Sequence, residues 1–147
     1  MLISRLAMKI LLIFLLTLGV ISGHAQTIDT FSVPIDAISK LEDVKELTKA
    51  IAGSKEAGDK IQAEARPEIN RLLVISADDF LRIITDGKSS KEAYLACLDY
   101  ELARLAPLTT NAQDRQQVAN FFQDLMEIVG VDSSEGRLTA FATSLKK

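Results

Sequence analysis

Apolar residues recur every three or four positions along most of this 147-residue chain. This is the period of an α-helix with one buried side, whereas a half-buried strand alternates at every second residue. Successive stripes of this kind begin at Ile35, Ala57, Ile69, Tyr94, Val118 and Leu138. The connections between them are short, which favours antiparallel neighbours. The sequence therefore predicts an all-α fold, a single-domain antiparallel bundle of four to six helices.

The first predicted helix begins at Pro34, because the missing N–H of proline costs nothing in a first turn, and it ends at Gly53. Its apolar stripe is expected to face the core and comprises Ile35, Ile38, Leu41, Val44, Leu47 and Ile51. The stretch up to Ala65 is interpreted as a weak helix, since Gly58 lowers helix propensity and Pro67 breaks or kinks the chain. Whether the helices that flank Pro67 are one kinked helix or two stays open.

Capping and stop signals divide the rest of the chain. The predicted helices run from Pro67 to an αL ending at Asp86-Gly87, from Ser90 to about Ala106, from Thr110 to Gly130, and from Ser133 or Ser134 onward. Ser90 is a typical N-cap, and Thr110 with Gln113 fits a capping box. The run "RLLVISA" could be a short buried strand, but it lies inside a continuous helical stripe, so a helix is predicted there.

The beginning of the chain has the order of parts found in an export signal. Arg5 and Lys9 supply a basic start, and an apolar core covers residues 10–21. A core of this length is short for a helix that must cross roughly 30 Å of hydrocarbon. Export with cleavage is therefore the main prediction, and a retained membrane anchor is the alternative.

The predicted cleavage site lies between Ala25 and Gln26, because Gly23 and Ala25 are small residues at the positions where a signal peptidase needs them. The chain would then consist of a signal peptide (1–25), an extended lead-in (26–33) and a helical bundle domain (34–147). No cysteine stands at this site to carry a lipid. We expect a periplasmic or secreted protein with no stable membrane anchor after cleavage.

Cleavage would change the charge and the chemical repertoire of the chain. It removes two of the 17 basic residues and leaves 15 against 20 acidic ones, a net charge of −5. That sign disfavours nucleic acid and anionic lipid as general partners. It also removes His24, the only histidine, and leaves Cys97 as the only cysteine, so no internal disulfide can form.

The loss of histidine excludes several catalytic classes. Ser-His-Asp and Cys-His mechanisms need an imidazole that moves protons near neutral pH. Di-iron bundles need Glu-x-x-His pairs, and zinc hydrolases nearly always use histidine ligands. No catalytic, cofactor or metal site is therefore predicted, and the protein is not expected to be an enzyme. Cys97 lies on an apolar stripe, where core packing is the main interpretation and an intermolecular disulfide the alternative.

Glu101 is the acidic residue that departs most from the expected pattern. The helical period places it on the apolar side of its helix with Leu98 and Leu105. Arg104, three residues on, could pair with it at the surface. A partly buried Glu101 could instead bind Arg71 or Arg82 of another helix. A catalytic role for Glu101 is a further alternative.

The sequence is compatible with three functions. The favoured one is a non-enzymatic module, similar to an inhibitor or an immunity protein, that binds another envelope or extracellular protein. The first alternative is a carboxylate-dependent hydrolase of cell-wall glycan that uses Glu101 or the pair Asp78 and Asp79. The second is a helical protein that binds a small apolar ligand in a cavity lined by Phe80, Phe121 and Phe122.

Overall fold

The structure is a computed structural model that describes residues 31–53 and 66–145. Within these residues the regular elements are five helices and no strands: α1 (Ala37–Gly53), α2 (Arg66–Thr85), α3 (Lys91–Leu105), α4 (Ala112–Ile128) and α5 (Arg137–Thr143). The predicted all-helical domain is confirmed, and "RLLVISA" is part of α2. The predicted leader and the weak helix up to Ala65 lie outside the described residues. No helix in the described ranges is long and apolar enough to cross a membrane.

Three aromatic side chains without exposed surface join the central helices. Phe80 of α2 lies 5.3 Å from Tyr94 of α3 and 6.5 Å from Phe122 of α4, measured between ring centroids. Helix α1 packs mainly on α2, and the short α5 packs on α4. The core therefore lies where α2, α3 and α4 meet, and the other two helices extend it.

Two predicted helix ends are confirmed at the level of hydrogen bonds. The Ser90 hydroxyl accepts a hydrogen bond from the backbone N–H of Ala93 and caps α3. Gly87 ends α2 in the left-handed region at φ +65°, and the N–H of Lys88 donates to the carbonyl of Ile83. Both helix ends are determined by the residue at the end itself, a serine or a glycine, so the sequence alone predicts them.

The predicted caps of the last two helices are wrong. Asn111, not Thr110, is the N-cap of α4, because its side-chain oxygen accepts a hydrogen bond from the N–H of Asp114. Helix α5 starts after Gly136 without a side-chain cap, while Ser133 accepts from the N–H of Glu135 inside the preceding loop. A serine that lies one turn before a helix can accept a hydrogen bond from a loop N–H as readily as from a helical N–H.

The predicted core-facing stripe of α1 is also only partly correct. Leu41 is buried and Val44 is half-buried, but Ile35 is fully exposed and Leu47 is 62% exposed. Residues spaced by three rather than 3.6 positions turn about 60° around the helix at each step. The stripe therefore drifts across the helix surface, and only its middle meets α2. Ala37, outside the predicted stripe, is buried in its place.

Gly130 fixes how the beginning of the domain meets the end of α4. Its φ is +79°, and a Cβ atom there would lie 3.2 Å from Cδ of Pro34. Both the left-handed conformation and the close approach favour glycine. Phe31, at the start of the described residues, contacts Tyr94 at a centroid distance of 5.7 Å. The segment before α1 thus packs against the body of the domain.

Candidate functional site

A buried acid lies at the interface of α2 and α3. Glu101 has no exposed surface, although carboxylates are rarely buried completely. Ser76, on the buried side of α2, faces it with its hydroxyl oxygen 3.1 Å from Oε2 of Glu101. The helical period puts both side chains on core-facing stripes, which explains why they meet.

Arg104 connects the buried acid to the surface. Its Nη1 donates hydrogen bonds to both carboxyl oxygens of Glu101, at 3.0 and 3.2 Å. Its guanidinium also lies over the ring of Tyr100, 5.3 Å from the ring centroid. Tyr100 is 61% exposed. A continuous chain of contacts therefore runs from the core acid Glu101 through Arg104 to an exposed aromatic ring.

A second carboxyl group, Asp79 of α2, influences Glu101. The negative charge of Asp79 acts on Glu101, and the Asp79 side chain pairs with Arg82 on the next turn of α2. Burial raises the pKa of Glu101, and Asp79 adds to the effect, while Ser76 and Arg104 oppose it. Two carboxyl groups and two arginines therefore form one polar cluster, Arg104–Glu101–Asp79–Arg82.

The four polar residues singled out from the sequence are placed differently. Arg104 bonds directly to Glu101, and Arg82 reaches the cluster through its pair with Asp79. Arg71 instead forms a two-bond surface pair with Glu68 on its own helix, with N–O distances of 2.9 and 2.6 Å.

Asp78 and Asp79 point in different directions. Asp78 forms an ion pair of 2.8 Å with Lys45 of α1, away from the cluster around Glu101. Adjacent helical residues lie about 100° apart, so only one of the two can face α3. The influence of Asp79 on Glu101 was not predicted, because the period of one helix does not say which residue of its neighbour it faces.

Replacing Glu101 by glutamine should remove a loss of stability that develops as the pH rises. Because the folded pKa lies above the ordinary value of 4.5, the native state keeps a proton that the unfolded chain releases above that value. Stability is therefore greatest where both states are protonated, and it falls with rising pH until the folded pKa is passed. Thermal unfolding followed by circular dichroism should show the melting temperature of E101Q gaining on the wild type across that range.

A matched control for this measurement is the exposed Glu68. Its pair with Arg71 lowers its pKa, so the linkage has the opposite sign and the group contributes stability only above its folded pKa. The variant Glu68→Gln should not gain on the wild type as the pH rises. If the melting temperatures of E101Q and the wild type changed in parallel from pH 4 to 8, this result would contradict the assignment of Glu101 as a buried acid with a raised pKa.

Cys97 lies beside this cluster at the edge of a shallow groove. The groove has a volume of about 240 Å³ and is also lined by Asp79, Arg82, Ile83, Asp86 and Lys88. Burial raises the pKa of the Cys97 thiol to about 12, and the negative charges of Asp79 and Glu101 act in the same direction. A half-buried thiol that resists ionisation fits the packing role better than a reactive one.

The thiol of Cys97 should therefore react slowly in the native protein. With a pKa of about 12, the thiolate fraction at pH 8 is roughly 1,000-fold below that of an unperturbed cysteine. The rate of reaction with Ellman's reagent, measured with and without urea, checks this. A native rate within tenfold of the denatured one would show that the thiol is accessible and ionised.

Sequence reasoning missed a second buried charge, Arg115 of α4, which is 8% exposed. Its guanidinium donates hydrogen bonds to the backbone carbonyls of Thr109, Phe141 and Ser144, at 2.9, 3.0 and 3.2 Å. Its guanidinium carbon also lies 5.0 Å from the centroid of the Phe141 ring. The signal was present, because Arg115 precedes Val118 by three positions and continues its apolar stripe. Arg115 ties the last helix to the end of α3.

The alternative of an apolar ligand cavity lined by three phenylalanines has less support in the structure. Phe122 contacts both Phe80 and Phe121 ring to ring. A second groove of about 240 Å³ is lined instead by residues of α4 and α5: Gln116, Ala119, Asn120, Gln123, Leu138, Thr139, Ala142 and Thr143. In the described ranges, no group of three histidine, cysteine or acidic residues is arranged to hold a metal ion.

Comparison with known proteins adds one match. The family model of a domain of unknown function, DUF4844, matches residues 32–146. Neither a search of curated proteins nor a search of solved structures gives a match. The match covers all five described helices and the cluster around Glu101.

Proposed function

The chain belongs to the DUF4844 family, and we propose that this member is an exported, non-enzymatic module that binds another protein. The family description names no activity, so the proposal depends on the residues of the site. The partner would be an envelope or extracellular protein, and the module would act on it as an inhibitor or an immunity protein does, through shape and charge alone.

The observation that supports binding most strongly is the contact between Tyr100 and Arg104. Tyrosine and arginine are enriched among the residues that dominate binding energy at protein interfaces. Here the arginine is already held by Glu101 before any partner arrives. Side chains that are ordered in advance lose less entropy on binding.

The surroundings of Tyr100 also favour a protein partner. Ala96 and Ala103 are exposed on the same side of α3 as Tyr100, and Pro107 is exposed in the turn that follows the helix. We call these four residues together with Arg104 the α3 outer face. Two small side chains lie around a single aromatic ring on this face, beside the charged residues Asp99 and Arg104. Such a surface allows close approach of another backbone.

The geometry of the acids supports binding rather than glycan hydrolysis. The two carboxyl groups of a glycosidase lie about 5–9 Å apart on opposite sides of an open cleft. Glu101 has no exposed surface, and the side chain of Asp79 is only 20% exposed and pairs with Arg82. We therefore assign Glu101 the role of a positioning residue that acts through Arg104.

The sequence supports the exported location. The basic start, the apolar core and the small residues before Gln26 follow the order of a cleavable signal. The family match begins at residue 32, after the predicted signal. The short connections between successive helices likewise support the antiparallel arrangement of the bundle.

Affinity capture tests the proposal. The protein should be purified as the cell processes it, immobilised, and exposed to envelope and culture-medium extracts. We expect one or a few proteins to be retained above a blank resin, and mass spectrometry of the bait should place its first residue at Gln26. An intact N-terminus at Met1, or no retained protein from either extract, would contradict the proposal.

A further inference from the structure

Arg104 uses only one nitrogen of its guanidinium group for its contact with the core. Its Nη1 atom donates both hydrogen bonds to Glu101, at 3.0 and 3.2 Å. Its Nε and Nη2 atoms donate no hydrogen bond within the part of the chain that the structure describes. Neither of these two nitrogens is a buried atom that lacks a partner, so both are open to solvent. The guanidinium group therefore offers its Nε–Nη2 edge to another molecule.

The same edge of a second arginine shows what such a group recognises. Arg71 donates from Nε to Oε2 and from Nη2 to Oε1 of Glu68, at 2.9 and 2.6 Å. Two parallel N–H groups match the two oxygens of a carboxylate, which makes this pairing stronger and more specific than a single hydrogen bond. The edge of Arg71 is thus occupied, whereas the edge of Arg104 is available. A carboxylate from outside the domain is the chemical complement of that available edge.

Two contacts hold the Arg104 edge in place before any ligand arrives. Glu101, which has no exposed surface, fixes Nη1, and the guanidinium carbon lies 5.3 Å from the centroid of the Tyr100 ring. The side chain of Arg104 is 29% exposed, and Tyr100 beside it is 61% exposed. A carboxylate that binds the edge therefore lies close to the ring. An apolar group next to that carboxylate would cover part of Tyr100.

The neighbouring acidic side chains have arginine partners of their own. The hydrogen bonds from Arg71 lower the pKa of Glu68, and the charge of Arg104 adds to this effect, so Glu68 lies near Arg104. Both carboxyl oxygens of Glu68 nevertheless accept from Arg71. Asp99, on the outer side of α3, pairs with Arg137 at 2.9 Å. The carboxylates around the edge are thus held elsewhere, and the donors of Arg104 remain for a ligand.

We infer that Arg104 and Tyr100 together bind a carboxylate-bearing segment of the partner, an aspartate or glutamate side chain next to an apolar residue. The existence of a partner rests on the proposed function, and the inference adds the chemistry that the partner supplies. The predicted processed chain has 15 basic and 20 acidic residues, so a broadly acidic surface would be repelled. A single carboxylate that is neutralised by Arg104 is therefore the ligand that the α3 outer face accepts.

Two short peptides test this inference without any partner, acetyl-Leu-Asp-Leu-amide and its neutral analogue acetyl-Leu-Asn-Leu-amide. Nitrogen-15 NMR of the wild-type protein follows the arginine Nε–H resonances during each titration. The aspartate peptide should shift the Arg104 resonance and the ring resonances of Tyr100, whereas the asparagine peptide should not. Arg71 is the control in the same spectrum, because Glu68 occupies its edge. An Arg104 resonance that stays constant with both peptides, or moves equally with both, would overturn the inference.

A captured partner provides a second, independent readout. Arg104→Lys keeps the charge but not the planar donor edge, so it should weaken partner binding at least about tenfold. The matched control Arg71→Lys should bind within about twofold of the wild type. Equal affinities for the two lysine variants would show that the Arg104 edge does not bind the partner. The peptide titration needs neither a partner nor a variant, so its failure counts against the carboxylate site alone, whereas a failed capture counts against the proposed function.

Discussion

Replacing Arg115 by alanine should lower the free energy of unfolding by about 3–5 kcal/mol. The guanidinium donates to the carbonyls of Thr109, Phe141, Ser144 and Ala106, and the buried acceptors of Thr109 and Phe141 would lose this donor. Each buried acceptor left without a partner costs about 1–3 kcal/mol, part of which water regains near the surface. Since domains of this size are stable by about 5–15 kcal/mol, the variant should be close to unfolding.

Urea denaturation measures this change as a lower midpoint at an unchanged slope. Lysine at position 115 keeps the charge but not the planar guanidinium group. The urea midpoint of Arg115→Lys should therefore lie between those of Arg115→Ala and the wild type. Arg71→Ala is the matched control, because Arg71 is exposed and pairs with Glu68 on its own helix, and it should cost less than about 1 kcal/mol. Equal midpoints for the alanine variants at positions 115 and 71 would show that Arg115 does not hold α5 to the domain.

Replacing Phe80 by alanine should also cost about 3–5 kcal/mol. Phe80 has no exposed surface and contacts Tyr94 and Phe122, so it touches all three central helices. The truncation leaves a cavity that α2, α3 and α4 would have to close together. Rigid helices close such a cavity only in part, which adds a cavity term to the lost transfer free energy.

The control for this truncation is Phe121, which is half-buried and contacts Phe122 at a centroid distance of 5.5 Å. Phe121→Ala should cost clearly less than Phe80→Ala, because water can occupy the space that it leaves. Both values come from the same denaturation series. A larger loss for Phe121 than for Phe80 would place the centre of the core elsewhere.

Much of the fold follows from the period of apolar residues within each helix. Helix α3 begins after Ser90, and α2 and α4 end before Gly87 and Gly130, as capping chemistry predicts. The burial of Glu101 also follows from its position between Leu98 and Leu105. These features depend on residues within one or two turns of each other, so a single helix suffices to predict them.

The features that the sequence did not predict involve contacts between helices. The drift of the α1 stripe leaves Leu47 exposed, and only the packing of α1 on α2 shows which part of the stripe is used. The contact of Ser76 with Glu101 depends on the register of α2 against α3. Arg115 was overlooked because an arginine on an apolar stripe is normally assigned to the surface. Its carbonyl partners come from segments that are distant in sequence.

The affinity of one variant tests most directly whether the partner binds to the α3 outer face. Isothermal titration of a captured partner should show at least about tenfold weaker binding for Tyr100→Ala than for the wild type. Leu47→Ala, which removes a comparably exposed side chain from α1, should bind within about twofold of the wild type. Equal affinities for Tyr100→Ala and the wild type would contradict the account, since the partner would then bind elsewhere on the protein.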